Sequence, residues 1–245
     1  MRTKIRRLAG ALGDVIFPPV CVTCAGLVEE GCHRHVCSGC AEKFEHVTDP
    51  ACSVCGHPFY GEIEGERMCP HCEGLAPAFR RGRTCVLMKG PARDLIHELK
   101  YHRGLHVLAD IETVMRRSEH VMEWLRGSVL VPVPLHARKE RERGYNQTLL
   151  LAEAFARATA DPSTRVELLL KKDIDTASQT TFDRKTRRKN LKNAFSVAPG
   201  RVINPEYHYI LVDDVFTTGS TLNSCASVLR RAGCMNLDVV TFGHG

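Results

Sequence analysis

One stretch, Tyr209 to Leu222, constrains this chain more than any other. Tyr209-Ile210-Leu211-Val212 is a short apolar run that reads as a buried strand of a parallel sheet. Asp213 and Asp214 follow at once, then Thr217-Thr218-Gly219-Ser220-Thr221. The spacing of Leu222, Ala226 and Leu229, with Val228 beside them, predicts a helix ending near Gly233. The unit is strand, acidic pair, hydroxyl-and-glycine loop, helix. Ligands of open α/β sheets sit at the carboxyl ends of strands. A helix N-terminus adds unpaired N–H groups and a positive dipole end, which suit a phosphate. The hydroxyls are further donors, and Gly219 lets the backbone come close. Carboxylates at the strand end accept hydrogen bonds from vicinal sugar hydroxyls. Phosphate and diol together mean a 5-phosphorylated ribose. An ordinary strand–turn–helix needs neither both acids nor so many donors. No G-x-x-x-x-G-K-[ST] is present, so a nucleoside-triphosphate P-loop is not the explanation.

The segment resembles the phosphoribosyl-pyrophosphate (PRPP) motif of type I phosphoribosyltransferases: four apolar residues, two acids, four of any kind, Gly, any, Ser or Thr. Every position is met. The resemblance implies that Asp213 and Asp214 hold the ribose hydroxyls, directly or through the waters of a Mg²⁺ ion. It implies that Thr217, Thr218, Gly219, Ser220 and Thr221 cradle the 5-phosphate.

The cysteines carry the second signal. Eight of the twelve form C-x-x-C pairs near the N-terminus: Cys21/Cys24, Cys37/Cys40, Cys52/Cys55 and Cys69/Cys72. Each pair can place two sulfurs on one ion, and two pairs complete a closed tetrahedral Cys₄ site, the pattern of structural zinc. Near-equal spacings support two consecutive ribbons; a cross-braced pairing, first with third and second with fourth, also fits. Cys32, His33, His35, His57 and His71 lie nearby as spares, and Cys85, Cys225 and Cys234 read as small buried hydrophobes. The segment has too few apolar residues for its own core, so metal is expected to supply folding energy. Two such thiolate sites lower the formal charge from +6 to about +2, which weakens overall basicity as an argument for nucleic acid. No apolar run approaches a membrane span, and the basic N-terminus has its apolar stretch broken by Gly10, Gly13 and Asp14. A short surface helix and a cytoplasmic location are expected. The expected division is 1–78, an N-terminal helix and double zinc ribbon, and 79–245, an α/β domain.

Between these signals, Thr84 to Met88 reads as a strand and Ala92, Leu95, Ile96 and Leu99 as a helix. That helix runs into Lys100-Tyr101-His102-Arg103, which faces substrate or merely ends the helix with cations. One helix is expected from about Leu105 to Leu125. Val129 to Pro134 is a short strand closed by proline. A basic loop follows, with His136, Arg138, Arg141 and Arg143, then a helix from Leu149. Its place between strand and helix suits pyrophosphate. The interleaved Glu140 and Glu142 equally fit a solvated charge run. Val166 to Leu170 reads as a strand, and Lys192 to Val197 as another. Between them lies a long polar segment, expected to be a lid, with Ser178, Gln179, Thr180, Arg184, Arg187 and Arg188. A lid would keep water from an oxocarbenium-like centre.

The order of these parts is specific. Double C-x-x-C ribbons precede V-P-V-P-L-H with Arg141-Glu142-Arg143-Gly144-Tyr145-Asn146-Gln147. Then come S-Q-T-x-x-x-R-x-x-R-x-x-N-x-x-x-A-F and the PRPP motif. Over nearly its whole length the chain resembles the ComF family, which includes competence proteins of DNA uptake. The resemblance implies an α/β fold, a type I phosphoribosyltransferase-like parallel sheet with flanking helices behind a double zinc ribbon. It implies PRPP with Mg²⁺ as ligand, and either phosphoribosyl transfer to an unidentified acceptor or an accessory role with single-stranded DNA or a helicase-type competence partner.

Overall fold

A computed structural model describes residues 18–29, 31–61, 65, 67–174 and 194–245. The N-terminal helix expected before residue 18 lies outside these residues. Among the described residues of the N-terminal module the one named element is the short helix α1 (Ser38–Ala41), on the second knuckle of the first ribbon. Next come β1 (Gly82–Leu87), α2 (Gly90–Tyr101), a 3₁₀ turn (Leu105–Val107), α3 (Leu108–Arg116), α4 (Glu119–Leu125) and β2 (Val129–Pro132). Then follow α5 (Ala137–Arg143), α6 (Gln147–Ala158), β3 (Arg165–Val166), β4 (Leu170–Lys172) and β5 (Phe195–Val197). The chain closes with β6 (His208–Phe216), α7 (Ser220–Arg231) and β7 (Asn236–His244).

Five strands form a parallel sheet in the order β1-β7-β6-β2-β3, and β4 pairs with β5 in a separate antiparallel hairpin. The fold is the α/β architecture expected. Residues Tyr209–Val212 of β6 are all buried, as a parallel strand covered on both faces requires. Ile210 and Val212 point into one apolar cluster, with Leu99, Ile111, Leu151 and Phe155. Tyr209 and Leu211 point into the other, with Leu222, Ala226 and Leu229 of α7.

The N-terminal module straddles the β1 edge and shares both cores. Val36 and Phe44 join the first cluster, Val54 and Phe79 the second. Its backbone also pairs with the otherwise open edge: Val47 N–H donates to Cys85 O, Leu87 N–H to Glu45 O and Gly82 N–H to Ser53 O, each at 2.9 Å. A Cβ at Gly82 would lie 2.1 Å from Val54 O, so only glycine allows this approach.

Four local expectations are corrected. The strand of the key motif does not stop at Val212 but runs through both acids to Phe216. β7 keeps pairing that far, with Asp213 opposite Thr241 and Phe216 opposite His244. The single helix expected over 105–125 is broken at Ser118, whose Oγ donates to Cys85 O at 3.3 Å while its carbonyl starts α4 by accepting from Val121 N–H. Of the strand expected over Val166 to Leu170, only Val166 joins the sheet, within β3, because Leu170 belongs to β4, which turns away to pair with β5. The basic loop is a helix, α5, with no buried residue. His136 Nδ1 caps it by accepting from Arg138 N–H at 3.3 Å, and the interleaved glutamates support it, Arg138 lying 3.7 Å from Glu142 one turn on. No helix among the described residues is long and apolar enough to cross a membrane.

Candidate functional site

Strand order places the site. From β2 the chain passes through α5 and α6 to β3 on one side; from β6 it passes through α7 to β7 on the other. The carboxyl ends of β2 and β6 therefore flank a topological switch point, where an open α/β sheet leaves a crevice. Pro132 pairs with Val212, and Val133 N–H donates to Val212 O at 3.0 Å. The segment after β2 thus starts beside the acidic pair. Asn146 secures it, capping α6 through Thr148 N–H at 3.1 Å and reaching Val133 O with Nδ2 at 3.1 Å.

The two acids differ. Asp214 is buried and fully engaged: Lys100 Nζ lies 2.8 Å from one oxygen and Gln147 Nε2 3.0 Å from the other. Asp213 is half-buried and accepts the Asp214 N–H at 2.9 Å. Burial, then the negative charge of Asp214, push its carboxyl up to about 8, against the opposing pull of the Asp214 N–H, Lys100 and Lys172. A cation beside Asp213 would favour its ionised form. Two adjacent carboxyls, Asp214 buried and Asp213 half-buried, are oxygen donors of the kind a divalent cation with retained waters takes.

The loop after β6 is open at its start. Thr217 and Thr218 are exposed, and Gly219 takes the left-handed conformation at φ +66. Thr218 Oγ1 and Ser220 Oγ lie 2.9 Å apart. Ser220 and Thr221 open α7, a helix of 12 residues without a side-chain cap. Its first N–H groups and three hydroxyls thus converge at a positive helix end.

Of the residues in the basic segment after β2, Arg143 reaches the acids through Gln147. It donates to Gln147 Oε1, and Gln147 donates to Asp214. Its guanidinium also lies 5.7 Å from the centre of the exposed Tyr101 ring. Arg138 and Arg141 stand exposed on α5, and His136 serves as its cap. The expected lid residues Ser178, Gln179, Thr180, Arg184, Arg187 and Arg188 lie outside the described residues.

The cysteines gather as two cages, Cys21/Cys24/Cys37/Cys40 and Cys52/Cys55/Cys69/Cys72, with all sulfurs of each within 4.8 Å of one another. Pairing is consecutive, not cross-braced. Cys24 and Cys37 sulfurs lie 3.7 Å apart, Cys55 and Cys69 sulfurs 3.6 Å. Tetrahedral zinc with bonds of about 2.3 Å spaces its sulfurs by about 3.8 Å, so both cages fit the ion. Amides already point at the second cage, Cys69 N–H at Cys52 Sγ (3.2 Å) and His57 N–H at Cys55 Sγ (3.4 Å). The nearby spares turn elsewhere: His35 to Asp110, Cys32 to Arg117 and His57 to Pro58 O.

Residues 12–73 match the sequence profile of a double zinc ribbon domain. Competence protein F of Haemophilus influenzae is 28% identical over 89% of this chain and 94% of its own length. The DNA utilization protein YhgH of Escherichia coli strain K12 is 29% identical over 91% and 95%. Competence protein ComFC of Bacillus subtilis strain 168 is 26% identical over 81% and 79%. The chain is thus similar to competence and DNA utilization proteins over most of its length, at 26–29% identity. Its double ribbon offers two structural zinc sites, each closed by four sulfurs.

Sequence reasoning on this chain missed the partners of Asp214. Lys100 was visible in a basic cluster, but nothing local says that the end of α2 reaches the end of β6. Gln147 sat in a quoted motif without a role. Tyr101 was passed over as a helix-end residue.

Proposed function

We propose that this protein is a member of the ComF family, binds PRPP with Mg²⁺ at the β2/β6 switch point and transfers its phosphoribosyl group to a nitrogen acceptor. The observation that carries the reading is the acid pair at the end of β6 running into a glycine-opened, hydroxyl-rich helix start, at a switch point with cations opposite. Asp213 and Asp214 would hold the ribose diol, and Thr217, Thr218, Gly219, Ser220 and Thr221 the 5-phosphate. Lys100 and Gln147 hold Asp214 in its orientation. Arg143, with Arg138, Arg141 and His136 nearby in sequence, offers positive charge to the departing pyrophosphate. Mg²⁺, when bound, neutralises pyrophosphate and ribose oxygens. In the transfer the C1–O bond breaks, pyrophosphate leaves with the electron pair, and an acceptor nitrogen supplies a new pair to C1.

A second reading, an accessory protein that handles single-stranded DNA during uptake, draws on the names of the relatives and on one observation. Exposed Tyr101 stands beside Arg143, with Arg103 donating to Glu142 O at 3.4 Å, an aromatic face with cations of the kind bases stack on. Calorimetric titration with PRPP and Mg²⁺, followed by pyrophosphate release across a panel of nucleobases, separates the two. Binding with turnover supports the enzyme. Binding without turnover favours the accessory role, and absence of PRPP binding removes the first reading. Asp213→Asn with Asp214→Asn is expected to abolish PRPP binding while the domain stays folded; affinity retained in that variant places the ribose elsewhere.

A further inference from the structure

The second sulfur cage and the loop after β6 meet through two short routes. The first leaves from Cys72, whose carbonyl accepts Leu75 N–H at 3.0 Å. Leu75 Cδ2 comes within 3.3 Å of where a Cβ would stand on Gly219, the buried left-handed residue that opens α7. The segment beyond Leu75 is then tied along α7. Asn223 accepts Ala78 N–H at 2.7 Å and donates to Ala76 O at 3.3 Å, and Arg230 Nε donates to Ala78 O at 2.7 Å. The second route leaves from Cys55, which accepts the His57 N–H. The His57 ring meets His244 edge-on at 4.8 Å, and His244 stacks on Phe216 at 5.7 Å with 11° between planes. Phe216 is the last residue of β6, and its ring lies 2.6 Å from a Cβ built on Gly219. Gly219 is thus flanked by Leu75 and Phe216, and both pack with the cluster that holds the second cage. The first cage packs instead with the cluster on the opposite face of the sheet.

We infer that the second sulfur cage, acting through Leu75 and the His244–Phe216 stack, positions the loop Thr217–Thr221 for its phosphate. The ligand part of this inference rests on the PRPP reading; the ordering of the loop does not. A loop of small residues led by two exposed threonines has few apolar contacts of its own, and its glycine loses more freedom on ordering than any other residue. Support from beneath meets that cost before the ligand arrives, which is preorganisation. Leu75 and Phe216 are positioning residues, since the loop, not they, would touch phosphate.

The test uses the full chain and amide hydrogen exchange over residues 216–222, with zinc content measured in parallel. Leu75→Ala should speed exchange there about tenfold while β2 and β6 amides below the loop stay protected, and Leu75→Met should restore protection. Cys69→Ser with Cys72→Ser should loosen the same loop, whereas Cys37→Ser with Cys40→Ser should leave it unchanged. PRPP affinity with Mg²⁺ should fall about tenfold in Leu75→Ala and recover in Leu75→Met. Unchanged loop exchange in Leu75→Ala, or equal loosening by loss of either cage, overturns the inference. If the wild-type chain binds no PRPP, the proposed ligand fails while the exchange result still decides the coupling.

Discussion

Lys100 Nζ lies 2.8 Å from Asp214 Oδ1, joining the C-terminal end of α2 to the end of β6. The carboxylate is nearly buried and its only other side-chain partner among the described residues is Gln147. Removing the ammonium leaves a charge in a poor solvent. Lys100→Met is expected to cost about 1–3 kcal/mol in urea unfolding at pH 7. Lys100→Met with Asp214→Asn should recover much of that loss, because neither charge then remains. Simple additivity of the two single variants would show that the ion pair contributes nothing.

Asp213 makes stability depend on pH in the sense opposite to most acids. Its folded carboxyl is pushed up to about 8 by burial and by Asp214, above the ordinary 3.8. Between these values the native state holds a proton that the unfolded chain has lost, so this group makes stability fall as pH rises from about 4 to 8. Asp213→Asn should therefore raise the melting temperature, with a larger gain at pH 8.5 than at pH 5. A pH-independent gain, or a loss, contradicts the assignment. The same residue gives a readout of ligand: if a cation or PRPP displaces its proton at pH 7, the binding heat should vary with the ionisation enthalpy of the buffer.

Much of this architecture was legible in the chain because the signals were local. The C-x-x-C pairs, the apolar run Tyr209–Val212 and the Leu222/Ala226/Leu229 spacing each declare their element within a few residues. What was not legible depends on distant pairing. The extension of β6 to Phe216 needs β7 beside it, and the consecutive cages were decided only by three-dimensional placement. The basic segment 137–143 was misjudged as loop because its charge was weighed and its i,i+4 pairing was not. Lys100 and Gln147 reach Asp214 from 114 and 67 residues away, a relation no periodicity encodes.

Both cages should be filled in protein purified without chelator. Metal analysis is expected to give two zinc ions per chain. The second cage, with all four cysteines buried, should release its ion to chelator more slowly than the first, whose Cys24 is exposed. One ion or none would refute the double site, and faster loss from the second cage would refute the ranking.

Asp110 is the joint between the first ribbon and α3, and its loss should be felt there alone. It is 1% exposed, yet accepts Arg34 N–H at 2.6 Å, His35 N–H at 3.1 Å and His35 Nδ1 at 2.9 Å. Burial pushes its carboxyl up, but the His33 imidazole 3.5 Å away and hydrogen bonds from the Arg34 N–H and His35 outweigh that and hold it below the usual range. A carboxyl depressed on folding contributes stability that is present above its unfolded value of 3.8 and is lost as pH falls through the folded value. Asp110→Ala leaves two backbone donors and an imidazole without their acceptor, a cost of about 2–4 kcal/mol at pH 7. The deficit should shrink below pH 4, where the wild-type carboxyl takes up its proton. Asp110→Asn, which keeps an oxygen but not the charge, should fall between. Amide exchange should rise over residues 32–37 while the loop 217–221 is unaffected, since that loop leans on the other cage. An equal stability loss at pH 3.5 and pH 7 would mean that packing, not the carboxylate, holds the ribbon to α3.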